Sequence, residues 1–575
     1  MTRHWVVLET GANQDYIFDS NRMRHVVGAS QVVLDAGTRW VEQACEGVGG
    51  VEPVQLVSGK AVLLAPSEEA GREVIRAVSA RVLTEAPRLE LTGVVGPPFD
   101  EDARYVVRSA IHLDSDGPAA HHVEALRRTL IRQGQARAAR PARQLRDQYL
   151  PWHEPCRETS LPAAGFELFA ADPRDNAWHP ASAATLARST ARKRPETRER
   201  LKRLLGRYPE LLPALVDELA DETMDDGWIA VVHADGNGVG TLLHDFPDAV
   251  GDATGTSEVS LDQHTRWLKD FSDHLEQVTR AAFTAAVEAA VDAVRAMRPD
   301  WRLKGRLLPI LLGGDDVTFA CHAALALPLV RTFLREFARR TREDDVMPRI
   351  AGPNGLTAAA GIAIVKRHHP FSAAYDLAED LVSSAKRRAV RQVTTGEPVS
   401  AYDVHVAHES TLRGLRELRQ ELTLDSRRGG PVARHGGPYV VRETDDASVP
   451  AAVAHRDERH LLDLMDLLAG GTLSSARAHD LRGALDRGVD EYRSRLTVAL
   501  ARTARERDAR GGTFDRTATE RLLSVVTEPA PPATEPASDD AAERPSRFVR
   551  LPDALLLHGV LPAALVEDPD LVVTS

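Results

Sequence analysis

"LLPILLGGDDVTFACH", residues 307–322, sets Gly313, Gly314, Asp315 and Asp316 between two runs that are almost wholly apolar. An apolar run, a glycine-bearing turn and a second apolar run read as a buried β-hairpin. Two carboxylates side by side at its tip repel each other, so the pattern calls for a positive charge beside them. Gly313 and Gly314 permit the sharp turn and leave room for a phosphate or a metal ion to approach the backbone. Hard carboxylate oxygens with open positions suit Mg²⁺ or Mn²⁺, which also bind the phosphates of a nucleotide.

Working outward, the strand "GWIAVVHADGNGVG" (227–240) precedes the hairpin, separated from it by a long segment, 261–297, with apolar residues at helical spacing. A helix at 326–343, a strand "GLTAAAGIAIV" (355–365) and a helix at 370–390 follow it. Strand, helix, hairpin, helix, strand is the order of a ferredoxin-like split unit, with helices on one sheet face and the other face free for a ligand. In that fold the first strand lies beside the hairpin, so Asp235 supplies a third carboxylate next to Asp315 and Asp316. The amides of Gly236, Asn237, Gly238 and Val239 are placed to cradle phosphate oxygens, and Lys386, on the last helix, to neutralise them. The bland alternatives are a polar hairpin tip for the aspartates and a solvated charge run, "AKRRAVR", for Lys386.

The same grammar occurs near the start of the chain. "VQLVSGKAVLLA" (54–65) aligns with "ILLGGDDVTFA" (310–320) so that Val57, Ser58, Gly59, Lys60, Ala61 and Val62 fall opposite Leu312, Gly313, Gly314, Asp315, Asp316 and Val317. A helix at 67–83 and a strand "RLELTGVVG" (88–96) complete a duplicate unit stripped of its carboxylates. The expected class is α+β, with two ferredoxin-like units joined and followed by helical regions. The degenerate unit spans 1–150, an Arg-rich helical linker 151–225, the Gly-Gly-Asp-Asp unit 226–400 and a C-terminal helical domain 401–526. A disordered linker at 527–546 and an apolar tail at 547–575 end the chain.

Composition bounds the function. Hydrophobic residues at 43% and charged residues at 27% describe a globular protein, and 575 residues exceed what one core supports. A formal charge of −12 argues against a surface devoted to nucleic acid. Three scattered cysteines, Cys45, Cys156 and Cys321, exclude a disulfide framework and a cysteine-rich zinc site, and suit a reducing cytoplasm. No apolar stretch is long enough to span a bilayer, so a cytoplasmic location without membrane attachment is expected. His153 with Cys156 looks like half of a metal site but reads better as a packed loop, and His479-Asp480 stands alone in a helical stretch.

"HADGNGVG", "LLGGDDVTFA" and "GIAIVKRHHPFSAAYDLAEDLVSSAK" together resemble the second palm domain of the large subunit of type III CRISPR effector complexes, the polymerase or cyclase subunit. The resemblance is specific over about 226–395 and weaker over the N-terminal unit, which becomes a degenerate first palm domain; the C-terminal helices look like that family's terminal helical domain. It implies conversion of ATP to cyclic oligoadenylates that signal antiviral defence. Asp235, Asp315 and Asp316 would bind two metal ions, Lys386 the triphosphate, and the first palm, through Lys60, an acceptor nucleotide. Guide or target RNA and other effector subunits are the implied partners. Three departures stand out: His233 replaces a common Asp, an N-terminal HD nuclease domain is not expected, and the family's cysteine-rich zinc element is missing. Two further readings stay open: a palm scaffold without turnover in an RNA-protein complex, and a GGDEF-like cyclase making a dinucleotide from GTP.

Overall fold

A computed structural model describes residues 1–20, 22–111, 113, 117–140, 150–168, 178–213, 227–393, 399–407, 414–424, 430–444, 447–509, 513–527 and 547–560. The N-terminal unit runs β1 (Thr2–Gly11), α1 (Asn13–Phe18), α2 (Met23–Gly37), α3 (Arg39–Val48), β2 (Glu52–Val57), β3 (Lys60–Ala65), α4 (Glu68–Glu85) and β4 (Glu90–Asp100). Its antiparallel sheet has the order β2-β3-β1-β4, with the first strand between the hairpin and the last strand.

Between the units lie β5 (Tyr105–Val106), α5 (His122–Ala138), the hairpin β6 (Gly165–Leu168) and β7 (Trp178–Ala181), α6 (Ala183–Lys193) and α7 (Pro195–Leu204). The segment expected to be a purely helical linker therefore contains a β-hairpin. Its helix α6 packs into the first unit, crossing α2 where a Cβ on Gly28 would fall 1.9 Å from the Arg188 carbonyl. Arg188 is buried, donates to Tyr16 O at 2.7 Å and lies over the Tyr16 ring, so at least this arginine of the Arg-rich stretch is a core residue.

The second unit comprises β8 (Trp228–Gly236), α8 (Val239–His244), α9 (Phe246–Thr254), β9 (Glu258–Val259), α10 (Leu261–Met297), β10 (Leu307–Gly313), β11 (Asp316–His322), α11 (Ala323–Glu343), α12 (Met347–Ala351), β12 (Ala358–Lys366), α13 (Phe371–Val393) and β13 (Ala401–Ala407). Ser260 and Gln263 close a capping box that starts α10 where its apolar periodicity begins. The sheet order, β10-β11-β8-β12-β13 with Tyr439–Val440 at the edge, repeats the arrangement of the first unit over its first four strands. Both units are ferredoxin-like and the class is α+β, as expected. The strand β13, parallel to β12, belongs to this sheet, so the expected boundary at residue 400 cuts through it.

Residue alternation along β8 and β11 sorts the two faces. Phe319 packs against Phe283 of α10, with ring centroids 5.4 Å apart. The opposite face carries His233, Asp235 and Thr318, and here the expectation of a free face fails. Helix α13 lies on it so closely that a Cβ on Gly361 would fall 2.1 Å from the Ala378 carbonyl. Phe18 of α1 stacks on Tyr375 of α13, centroids 3.7 Å apart. Only the end of the sheet where β8 stops and β11 starts remains for chemistry.

Beyond β13, helices at Arg459–Ala469, Ser475–Asp486, Val489–Ala509 and Arg516–Leu523 accompany, besides Tyr439–Val440, four two-residue strands that form a sheet of their own. The expected disordered linker falls outside the described residues apart from its first position, as does the tail beyond 560. The start of the tail docks on its own chain: Leu551, Ala554 and Leu557 are buried, and Asp553 accepts from Gly436 N–H and Tyr439 O–H, each at 2.7 Å. All three cysteines are free and buried. No helix among the described residues is long and apolar enough to cross a membrane.

Candidate active site

The hairpin closes on the pair Gly313↔Asp316, which makes Gly314 and Asp315 its two-residue turn, and Gly314 takes φ +64°. Asp315 therefore sits at the tip and Asp316 opens β11. Strand β8 pairs with β11 through Val317↔Ala234 and Thr318↔His233, which sets Asp235 beside Asp316 at the same sheet end. A Cβ on Gly236 would lie 2.7 Å from Asp315 Oδ2, so a glycine there lets the Asp315 carboxylate reach Asp235. The structure thus brings Asp235, Asp315 and Asp316 together.

Their electrostatics follow from that crowding. Burial raises the proton affinity of Asp315, and the Asp235 charge raises it further. Burial and then Asp235 act likewise on Asp316, against the lowering pull of Lys386. Asp316 is 36% exposed in its side chain, yet its Oδ1 is closed off from solvent and completes no hydrogen bond. Such a group favours a cation over water.

The positive charge beside Asp235 is Lys386, whose ammonium donates to Asp235 Oδ2. Ala378, Val382 and Lys386 follow one face of α13 at four-residue spacing, and Ala378 meets the sheet at Gly361. Lys386 is therefore an inward-facing, partly exposed residue held by Asp235. His233 Nδ1 lies 3.0 Å from Thr318 Oγ1 and 3.3 Å from Asp316 Oδ1. Burial lowers its proton affinity, which keeps the ring neutral.

The donor chemistry fits a hard divalent cation: crowded carboxylates and an oxygen without a partner. Yet among the described residues no three His, Cys, Asp or Glu side chains are already grouped as ligands of one metal ion. Asp235 is engaged by Lys386, and that pair has to open before a third ligand joins.

The phosphate loop is narrower than expected. Asn237 N–H donates to Thr357 O at 2.8 Å, and its side-chain amide to Thr357 Oγ1 at 3.0 Å, which commits Asn237 to the strand end. Gly238, at φ +76°, and Val239 open α8. Gly313 meets the first unit instead: a Cβ there would come 2.9 Å from Ser58 Cβ, so the two hairpin tips touch.

In the first unit the hairpin closes on Val57↔Lys60 with Ser58 and Gly59 as its turn. This corrects the alignment by one residue. Lys60 corresponds to Asp316, not to Asp315, and Gly59 corresponds to Asp315. The register Glu9↔Lys60 then sets Glu9 where Asp235 stands, so the first unit keeps one carboxylate that the sequence comparison missed. Matched strand to strand, "WVVLET" (5–10) lies on "VVHADG" (231–236), with Glu9 opposite Asp235. Glu379 and Gln14, also unforeseen, join α13 to α1 at the rim through a 3.1 Å hydrogen bond. His153 and Cys156 do not assemble a metal site, and Asp480 faces Arg495 at 3.8 Å.

Comparison with known proteins bears on this unit. Residues 228–394 match the family model described as Cas10/Cmr2, second palm domain. No curated protein matches the chain. Similar solved structures include the Csm1–Csm4 cassette in complex with cA4, at 12% identity and TM-score 0.38, covering 67% of this chain and 53% of that one. The apo Csm1–Csm4 cassette gives 12% identity and TM-score 0.38 over 70% and 54%. Csm1 in T. onnurineus gives 12% and 0.38 over 69% and 52%. The chain spans about half the length of these structures, and the overlap is too loose to transfer residue roles. The family match covers the strands, hairpin and helix that carry Asp235, Asp315, Asp316 and Lys386; over residues 228–394 the chain is similar to the Cas10/Cmr2 second palm domain, and in that sense it is Cas10-like.

Proposed function

We propose that this chain is a metal-dependent nucleotidyltransferase that joins ATP into 3′–5′-linked, cyclised oligoadenylates in antiviral defence. One observation carries the reading: the carboxylates of Asp235, Asp315 and Asp316 converge at one sheet end beside the ammonium of Lys386, and burial and crowding raise the proton affinity of Asp315 and Asp316. Asp235, Asp315 and Asp316 would hold Mg²⁺ or Mn²⁺, which when bound supplies Lewis-acid activation of a ribose 3′-hydroxyl and neutralises phosphate charge.

The chain's own residues do the rest. Lys386 moves from Asp235 to the triphosphate, exchanging one anionic partner for another. Gly238 and Val239 present amides to phosphate oxygens at the start of α8. Neutral His233 lies against Thr318 and beside Asp316 without competing for the carboxylate's charge. The touching tips at Ser58 and Gly313 bring Lys60 to the same end as the carboxylates, where it meets the acceptor nucleotide. Guide or target RNA and other CRISPR effector subunits are the proposed partners, and the cytoplasm the proposed location.

A second reading has its own observation: Asp235 is already neutralised by Lys386 and no three-ligand group is preformed, which suits a palm scaffold without turnover. A GGDEF-like synthase acting on GTP is the third. Incubating the full chain with each labelled nucleotide and Mg²⁺ or Mn²⁺ separates them. Oligoadenylate from ATP supports the proposal, a guanine dinucleotide supports the third reading, and no product supports the scaffold.

A further inference from the structure

A cavity of about 280 Å³ lies between the start of β8 and the C-terminal helices, away from the aspartates. Trp228 and Leu468 form part of its apolar wall, and Leu555 of helix Leu551–Val560 adds to it. Its polar lining is Ser475, His479 and Arg482, three residues of helix Ser475–Asp486, and His558 from the tail helix. The spacing of 475, 479 and 482 places the three on one helix face. Among the described residues no aspartate or glutamate lines the cavity. Asp480, next to His479, faces Arg495 at 3.8 Å. Lys366, paired with Trp228 in the sheet, sets its ammonium 3.6 Å from the centre of the indole ring.

A planar guanidinium, two imidazoles and a hydroxyl around one space, with no carboxylate of the described residues among them, form a donor set for an anion. Three of these groups, Arg482, His479 and His558, outnumber the two oxygens of a carboxylate and match the three terminal oxygens of a phosphate monoester. The apolar wall beside them needs an organic body, and the volume suits one ring system with its sugar. We propose that this cavity binds a free mononucleotide, its phosphate held by Arg482, His479 and His558 and its base laid along Trp228, Leu468 and Leu555. The lining joins the first residue of β8, whose other end carries Asp235, to the helix of the tail, so occupancy ties the tail to the palm strand.

The test is a titration of the full-length protein in EDTA, read by the imidazole Cε1–H NMR signals of His479 and His558, each assigned from its Gln variant. The probes are AMP, inorganic phosphate, adenosine, ribose 5-phosphate and a 5′-phosphorylated oligonucleotide. These signals report the cavity and not the palm site. The expected result is that AMP shifts both signals, binding about tenfold or more tighter than adenosine or ribose 5-phosphate, and that Arg482→Ala removes this preference over adenosine. The three polar residues other than His558 lie on one exposed helix face, and Arg482→Glu provides a second variant, in which AMP binding is lost altogether. Absence of any shift with AMP overturns the proposal. So does adenosine binding as tightly as AMP, ribose 5-phosphate doing so, or the oligonucleotide outcompeting AMP, since each removes the phosphate, the base or the free nucleotide from the assignment.

Discussion

Replacing Lys386 with Met separates its two proposed tasks, because the variant keeps the apolar stem and loses the ammonium. In the ligand-free protein that ammonium is bound to Asp235, with side chains 30% and 33% exposed. A hydrogen bond to a charged group contributes about 1.5–3 kcal/mol, and exposure of a third of each partner reduces this to about 1–2 kcal/mol. A metal ion that needs Asp235 has to overcome that sum. Without nucleotide, Lys386→Met should therefore bind Mn²⁺ about 5–30-fold more tightly than wild type, the factor that 1–2 kcal/mol represents. The same substitution should weaken ATP binding, since the triphosphate loses its cation. Electron paramagnetic resonance of free Mn²⁺ against protein concentration measures the first effect, and equilibrium dialysis of labelled ATP in EDTA the second. Unchanged or weaker Mn²⁺ binding would refute the reasoning, because Lys386 would then not be holding a metal ligand.

Three further outcomes follow from the same geometry. In metal-free protein, Asp315 and Asp316 have proton affinities above their unfolded values, so wild-type stability falls as pH rises from the ordinary carboxylate range. Thermal unfolding should show Asp315→Ala/Asp316→Ala at or above the wild-type midpoint at about pH 8, with the gap closing toward about pH 4; a variant less stable at the higher pH contradicts it. Gly236→Ala puts a methyl 2.7 Å from Asp315 Oδ2 and 2.8 Å from its Cβ, so Mn²⁺ affinity should fall about tenfold or more while stability drops by no more than the usual 1–3 kcal/mol of overpacking; wild-type metal affinity would show that Asp315 is not a ligand. His264 is wholly buried and burial lowers its pKa from 6.5 to about 4. The folded state then binds fewer protons than the unfolded one, and stability is lost as pH falls across that interval, by about 3 kcal/mol at 1.36 kcal/mol per unit. Denaturant unfolding of His264→Phe should show a correspondingly flatter acid limb, and an unaltered limb would contradict this.

The strands and the hairpin were readable because apolar runs broken by glycine permit little else. Helix α10 was readable end to end from its periodicity, and the structure adds the Ser260 cap that starts it. The alignment of the two hairpins slipped by one residue because glycines were matched to glycines, whereas the structure matches turn to turn. Gly59 takes φ +75° as the second turn residue, and Gly314 takes φ +64° as the first. Glu9 was lost with that slip. The covered sheet face was not readable either. Periodicity shows that α13 is amphipathic, but which sheet face it meets depends on the connection from β12 through α13 to β13, and "AYDVHVA" (401–407) was not recognised as a strand. Lys386 lies at the boundary between the two kinds of information. Its four-residue spacing from Val382 and Ala378 was in the sequence, but its contact with Asp235 needed the helix placed on the sheet.

The central claim, nucleotidyl transfer at Asp235, Asp315 and Asp316, is tested most directly by incubating the full-length chain with α-³²P-labelled ATP and Mn²⁺, beside Asp315→Ala/Asp316→Ala, and resolving the products. The account predicts pyrophosphate release and 3′–5′-linked adenylate product from wild type and none from the double variant. Product formation equal in the two folded proteins, or absent from both, would contradict it.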